Sequence, residues 1–146
     1  MSMVDVSAKS VTQRRAVAQA MITFLPKVFK ILMKDGSPKG DVFETAKVAA
    51  IMAAKSTPSL IPLCHPLELS KVNIQFSMDQ KRRIVMTTAE VMCWGRTGVE
   101  MEALTAACVS ALTIYDMMKW TDLGMTILDV KLLKKSGGKS GLYVSL

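Results

Sequence analysis

Alanine spacing constrains this chain more than any other feature. In "RRAVAQAMITF", residues 14–24, Ala16, Ala18, Ala20 and Ile22 fall on alternate positions. That period of two predicts a β-strand over the second half of the stretch, with one apolar face. In "VEMEALTAACVSALTIYDMMKW", residues 99–120, good helix formers continue for several turns, the strongest helical pattern in the chain. Half of the residues are hydrophobic but only 5% are aromatic, and Ala and the 12 Met carry much of the apolar content. Small and flexible side chains suit close packing of a helix on a sheet, and they also suit subunit interfaces.

The remaining segments fill in an order of elements. "VDVSA", Val4 to Ala8, alternates and predicts a short strand. "LPKVFKILMKDG" places Val28, Ile31 and Leu32 at helical spacing and ends at Gly36, the expected C-cap. Asp41 with Glu44 resembles a capping box opening a second helix, which Pro58 and Pro62 are expected to close. "LSKVNIQFSMD" and "RRIVMTTAEVMC" alternate on either side of a turn and predict a hairpin. Thr97 and Glu100 suggest another capping box, at the start of the long helix. "MTILDVKLL" reads as a strand, "KKSGGKSG" as a loop and "LYVSL" as a short final strand. The expected architecture is one α+β domain over residues 1–146, an antiparallel or mixed sheet with helices on one face and split βαβ connectivity.

A net charge of +7 points to an anionic partner: nucleic acid, a membrane surface or a polyphosphate metabolite. No apolar run approaches the roughly 18 residues that would span a bilayer. The N-terminus lacks the layout of a signal peptide, and three cysteines without CxxC spacing favour a reducing compartment, so the expected location is the cytoplasm. An RNA-binding sheet would present aromatics for stacking, and the strands offer mainly Phe76.

Four stretches carry candidate chemistry. "LCHP" holds the only histidine, His65, between Cys64 and Pro66. A structural zinc site needs about four ligands, which this chain does not supply. On spacing alone His65 is either a satisfied packing group or one wall of a ligand pocket. Lys39 precedes a helix N-terminus, where free N–H groups attract anions, although a solvated lysine beside an ordinary cap fits equally. Paired glycines in "KKSGGKSG" let amides converge on an anion beside Lys134, Lys135 and Lys139, or they make a flexible connector. Glu100 and Glu102 are about 200° apart around a helix and should not face the same way. Asp116 and Lys119 are neighbours on the helix surface, an ordinary exposed pair unless half-burial shifts their pKa values. Glu102 and Asp116 stand about 21 Å apart along a straight helix, so one small ligand would reach both only across two subunits.

"MVDVSAKSVTQR", "KGDVFETAKVAAIMAAKSTPSLIPLCHPLELSKV", "TGVEMEALTAACVSALTIYDMMK" and "LLKKSGGKSG" together closely resemble the molybdenum cofactor biosynthesis protein C family, the cyclic pyranopterin monophosphate synthases. The resemblance runs from about Met3 to Gly141. It implies a ferredoxin-like protomer in a hexamer, a trimer of dimers, with active sites at dimer interfaces. It also implies a lyase reaction in which 3′,8-cyclo-7,8-dihydro-GTP, made by a radical S-adenosylmethionine enzyme, becomes cyclic pyranopterin monophosphate with release of pyrophosphate.

By motif, Asp116, Lys119 and Lys39 match the family's catalytic positions. Leu63, Cys64 and His65 match its substrate pocket, as do Glu100, Met101, Glu102 and Lys135. In that setting Asp116 and Lys119 are expected as general base and general acid, with Lys119 titrating nearer neutrality. Lys39 and Lys135 would stabilise phosphate charge. The resemblance implies no tightly bound cofactor and no protein metal site. Without a dedicated carboxylate cage, Mg2+ is expected only with the substrate triphosphate. Neither nucleic acid nor membrane is an expected partner.

Overall fold

A computed structural model describes residues 1–146. Its order is β1 (Thr12–Thr23), α1 (Pro26–Lys34), α2 (Val42–Leu60), β2 (Leu69–Asp79), β3 (Ile84–Gly95), α3 (Glu100–Met118), β4 (Thr126–Ser136) and β5 (Tyr143–Val144). The five strands make one sheet in the order β2-β3-β1-β4-β5, with every neighbouring pair antiparallel. Because β3 is antiparallel to both β1 and β2, those two run the same way with β3 between them. That is the split βαβ arrangement of a ferredoxin-like α+β fold.

The alanine pattern decides how closely the helices approach the sheet. Ala16, Ala18 and Ala20 are fully buried on one face of β1, with Ala18 opposite Ala89 of β3. Ala103, Ala106, Ala107 and Ala111 of α3 and Ala50 and Ala54 of α2 close the same cluster. Larger side chains fill a second cluster at the other end of α3: Ile114, Met117 and Met118 pack with Ile22, Phe24 and the α1 residues Val28, Phe29 and Leu32. One buried polar link joins α3 to the sheet, a 2.9 Å contact between the Thr87 and Ser110 hydroxyls that satisfies both.

Several expectations are corrected. The first strand is longer than its alternating second half, because Thr12 to Arg15 also pair with Met92 to Gly95. Val4 to Ala8 form no strand. Pro58 does not close α2 but lies inside it, since burial of Ala53, Ala54 and Thr57 outweighs the lost N–H bond; Ile61 then caps the helix just before Pro62. Asp41 does cap α2, accepting from the Glu44 amide at 2.9 Å. Gly36 lies one residue beyond the Asp35 cap of α1, at φ 70°, and donates to the Ile31 carbonyl. The Thr97–Glu100 capping box is absent: Val99 precedes α3 without a side-chain cap. Lys134, Lys135 and Ser136 belong to β4, so the loop begins only at Gly137.

A bulge in β4 opposite Gln19 is held locally. Asp129 sits there at φ 52°, and the nearly buried Gln19 amide donates to its carbonyl and carboxylate at 3.1 and 3.0 Å.

Because Ala18 is fully buried in this seam, Ala18→Leu is expected to lower stability by about 1–3 kcal/mol. Denaturant titration at neutral pH checks this, with an unchanged midpoint as the contrary result.

Candidate active site

The candidate residues collect at the two ends of α3, not in one place. At its C-terminal end Asp116 is gripped from two sides. Lys119 Nζ donates to Oδ1 at 2.8 Å, and Lys39 Nζ donates to Oδ2 at 2.8 Å and to the Asp116 carbonyl at 3.2 Å. Lys39 arrives from the turn before α2, positioned by the Ser37 hydroxyl, which accepts from its amide. All three side chains are about half exposed. Two cations on one carboxylate leave a net positive charge facing solvent.

In the protomer the electrostatics run against the expectation that Lys119 titrates nearer neutrality. Hydrogen bonds from Lys119, then Lys39, hold the Asp116 carboxyl at about 2. The same bond pushes the Lys119 pKa up, away from neutrality. In this protomer Asp116 is therefore a weak base and Lys119 a firmly protonated ammonium.

At the N-terminal end of α3, a cleft of about 240 Å³ lies between the "LCH" loop, the helix start and the first residues of the chain. Leu63, Cys64 and His65 form one wall, and Glu100, Met101 and Glu102 form the other. Glu100 and Glu102 thus share a cleft despite their angular separation, because the cleft wraps around the helix end. Glu100 pairs with Lys135 of β4 at 2.6 Å. Gly98 makes room for this, since a Cβ there would collide with the Glu100 carboxylate.

Glu102 is only 3% exposed and has no cationic partner. Burial, reinforced by the nearby Glu100 charge, pushes its pKa up. Burial and the Glu102 and Glu100 charges likewise push the Cys64 thiol up, so Cys64 lines the cleft as a neutral thiol. His65 Nε2 donates to the Val4 carbonyl at 2.7 Å, which ties the N-terminal segment over the cleft and leaves Nδ1 to accept when the ring is neutral.

Val4, Val6 and Lys9 line the same cleft and were missed as site residues by the sequence reading. The alternation of Val4 to Ala8 pointed to a strand, whereas the segment pairs with none and turns at Ser7–Ala8, where the Lys9 amide donates to the Val6 carbonyl. Phe76 packs on Phe43 with ring centroids 5.1 Å apart, inside the helix–sheet layer, and is not a stacking platform. No group of three or more His, Cys, Asp or Glu side chains is placed to hold a metal ion. No helix is long and apolar enough to cross a membrane. Cys64, Cys93 and Cys108 are all free.

Fold and site together define an α+β protomer whose central helix carries a cationic group at one end and a carboxylate-lined cleft at the other. The chain belongs to the MoaC family, whose family profile matches residues 3–138. It is 53% identical over 141 residues to a cyclic pyranopterin monophosphate synthase of Parvibaculum lavamentivorans, covering 97% of this chain and 88% of that protein. Proteins of the same description from Syntrophomonas wolfei and Rhodospirillum rubrum are 51% and 50% identical over 142 and 143 residues. Those matches cover 97% and 98% of this chain, and 90% and 86% of the respective relatives. The resemblance carried by "LIPLCHPL" and "GVEMEAL" is borne out at the level of the family.

A carboxyl whose folded pKa is raised binds its proton more tightly in the folded state than in the unfolded one. It therefore costs stability progressively as pH rises from its ordinary value of 4.5 through the raised one. Glu102→Gln is accordingly expected to raise the melting temperature at pH 8 and to leave it unchanged near pH 4. Equal effects at both pH values would show that Glu102 is not the buried acid described.

Proposed function

We propose that this protein converts 3′,8-cyclo-7,8-dihydro-GTP into cyclic pyranopterin monophosphate with release of pyrophosphate, an early step of molybdenum cofactor biosynthesis. Three relatives at 50–53% identity, each covering nearly the whole chain, are described as that synthase. The observation that carries the reading is the exposed Lys39–Asp116–Lys119 cluster: three charged side chains from two distant segments, held together with surplus positive charge.

Residues 1–146 act as one unit, and the working form is a hexamer, a trimer of dimers with active sites at the dimer interfaces. Distance favours a site shared between protomers. Glu102 and Asp116 lie on one helix, about 21 Å apart along its axis, so the two groups meet around one substrate only when the cationic end of one protomer faces the cleft of another. In that arrangement Leu63, Cys64 and Met101 bound the ring system, and the free Nδ1 of His65 addresses a ring N–H or hydroxyl.

Phosphodiester closure requires a ribose-derived hydroxyl oxygen to bond the α-phosphorus while the bond to the bridging oxygen of the β-phosphate breaks. Pyrophosphate leaves with that electron pair, and the hydroxyl proton passes to a base. Lys39 and Lys119, held side by side by Asp116, stabilise charge on the α-phosphate oxygens. Lys135 supplies a further cation at the cleft rim, where it already neutralises Glu100. Glu102, with its raised pKa, suits the proton transfers better than Asp116. The reading needs no resident cofactor, and Mg2+ enters on the triphosphate. The substrate comes from a radical S-adenosylmethionine enzyme acting on GTP.

Incubation of the purified protein with the cyclised GTP intermediate should yield pyrophosphate and a pterin; absence of both sinks the proposal. Lys119→Ala and Asp116→Ala are expected to lower turnover by at least about a hundredfold with assembly intact by light scattering. Co-refolding inactive Asp116→Ala with inactive Glu102→Ala tests the shared site. Random pairing should restore about a quarter of wild-type activity, since each mixed dimer keeps one intact site. No recovery would place the complete site within one protomer.

A further inference from the structure

Along α1 runs a groove of about 610 Å³ that shares no residue with the α3 cleft or the Lys39–Asp116–Lys119 group. Phe29, Lys30, Met33 and Lys34 form one wall, and Gln80 and Arg83 of the β2–β3 turn form the other. The α1 positions recur at three and four residues, so the groove follows the helix for its whole length, about 13 Å. No carboxylate lines it, and neither Lys30, Lys34 nor Arg83 has an ion-pair partner in the protomer. The acids nearest in sequence lie outside it: Asp79 pairs with Arg82, and Asp35 caps α1 beyond its last turn.

Arg83 marks the groove as more than a patch of surface lysines. Its backbone lies at φ 54°, a left-handed conformation that glycine adopts freely and a side chain adopts under strain. Its carbonyl accepts from the Phe24 amide at 3.1 Å, which fixes the turn against the segment entering α1. That bond needs no guanidinium. The Arg83 Nε is nevertheless buried without a hydrogen-bond partner, and no carboxylate in the protomer holds the fork. An arginine kept at a strained position, with no partner inside the chain, suits an oxyanion that arrives from outside.

The rest of the lining selects among oxyanions. Met33, 42% exposed and between the two lysines in sequence, offers a flexible apolar floor. Phe29 is only 7% exposed, so no ring face is open for a nucleic-acid base to stack on. Lys30 and Lys34 are one turn apart, with Cβ atoms about 6 Å from each other, close to the spacing of alternate side chains on an extended peptide.

We propose that this groove docks an acidic peptide segment of a partner protein. Two of its carboxylates meet Lys30 and Lys34, a third takes the Arg83 fork, and an apolar side chain lies on Met33. The surface is independent of the synthase reading, since no residue of the proposed active site takes part.

Fluorescence anisotropy of the intact protein with a short labelled peptide of repeated Glu-Leu-Glu-Asp units tests the groove. Saturable binding is expected, weakened roughly tenfold or more by the double variant Lys30→Ala/Lys34→Ala and by Arg83→Gly. Glycine relieves the left-handed backbone, so Arg83→Gly should lose the peptide while its melting temperature stays the same or rises. Lys55→Ala, exposed on α2 and outside the groove, controls for non-specific charge and should leave the affinity unchanged. A peptide with serine in place of leucine, and a single-stranded oligonucleotide of equal charge, should both bind more weakly. Absence of saturable binding overturns the proposal, as does an equal loss in Lys55→Ala or no loss in the groove variants. Tighter binding of the oligonucleotide would assign the groove to nucleic acid instead. A smaller assembly by light scattering in the groove variants would assign it to a contact between copies of this chain.

Discussion

The seam of alanines between α3 and the β1–β3 pair is the constraint on which the rest of the molecule depends. A helix packed on a sheet mainly through alanines has little freedom to rotate or slide, because a larger side chain would clash and a gap would lose close contact. α3 is therefore a fixed bar, and the charged groups at its two ends inherit that rigidity. Glu102 is held in the cleft by the alanine end, and Asp116 projects from the end packed with Ile114, Met117 and Met118. A bar with such different chemistry at each end is what motivates the composite site proposed above.

The two ends use the same residue types in opposite ways. At Asp116 a half-exposed carboxylate meets two lysines, which stabilise its charge, and it stabilises that of Lys119 in return. At Glu102 a buried carboxylate meets no cation and holds its proton more tightly. Environment, not residue identity, separates a carboxyl held ionised from one that keeps its proton more tightly. Lys135 shows the balance between these extremes: its pairing with Glu100 keeps the cleft mouth from becoming doubly acidic. The cleft beside it, lined by Lys9, Arg14 and Lys139 and by no acid, contrasts with the carboxylate-lined one across a short stretch of surface.

Much of the architecture was legible because it follows from local periodicity. Alternation at Ala16, Ala18, Ala20 and Ile22 names the buried face of a strand whatever it packs against, and Gly36 ends a helix through its own backbone freedom. Where local rules failed, a long-range contact had outweighed them. Pro58 remains helical because its neighbours are buried, and Glu100 forgoes capping for a lysine on β4. Val4 to Ala8 have strand-like alternation but no strand to pair with, so they become a strap whose Val4 carbonyl meets His65.

The sequence by itself determined the α+β class, the faces of its helices and strands, the glycine positions that need positive φ, and the motifs that place the chain in its family. Each of these depends on neighbours a few residues away. Tertiary structure alone decided that Lys39 would grip Asp116 across 77 positions of chain, that Glu102 would be buried without a counter-charge, and that Arg14 would lie under the Gly137–Gly138 loop. Those outcomes depend on distance and burial in space, which set pKa and charge balance and which spacing along a chain does not encode.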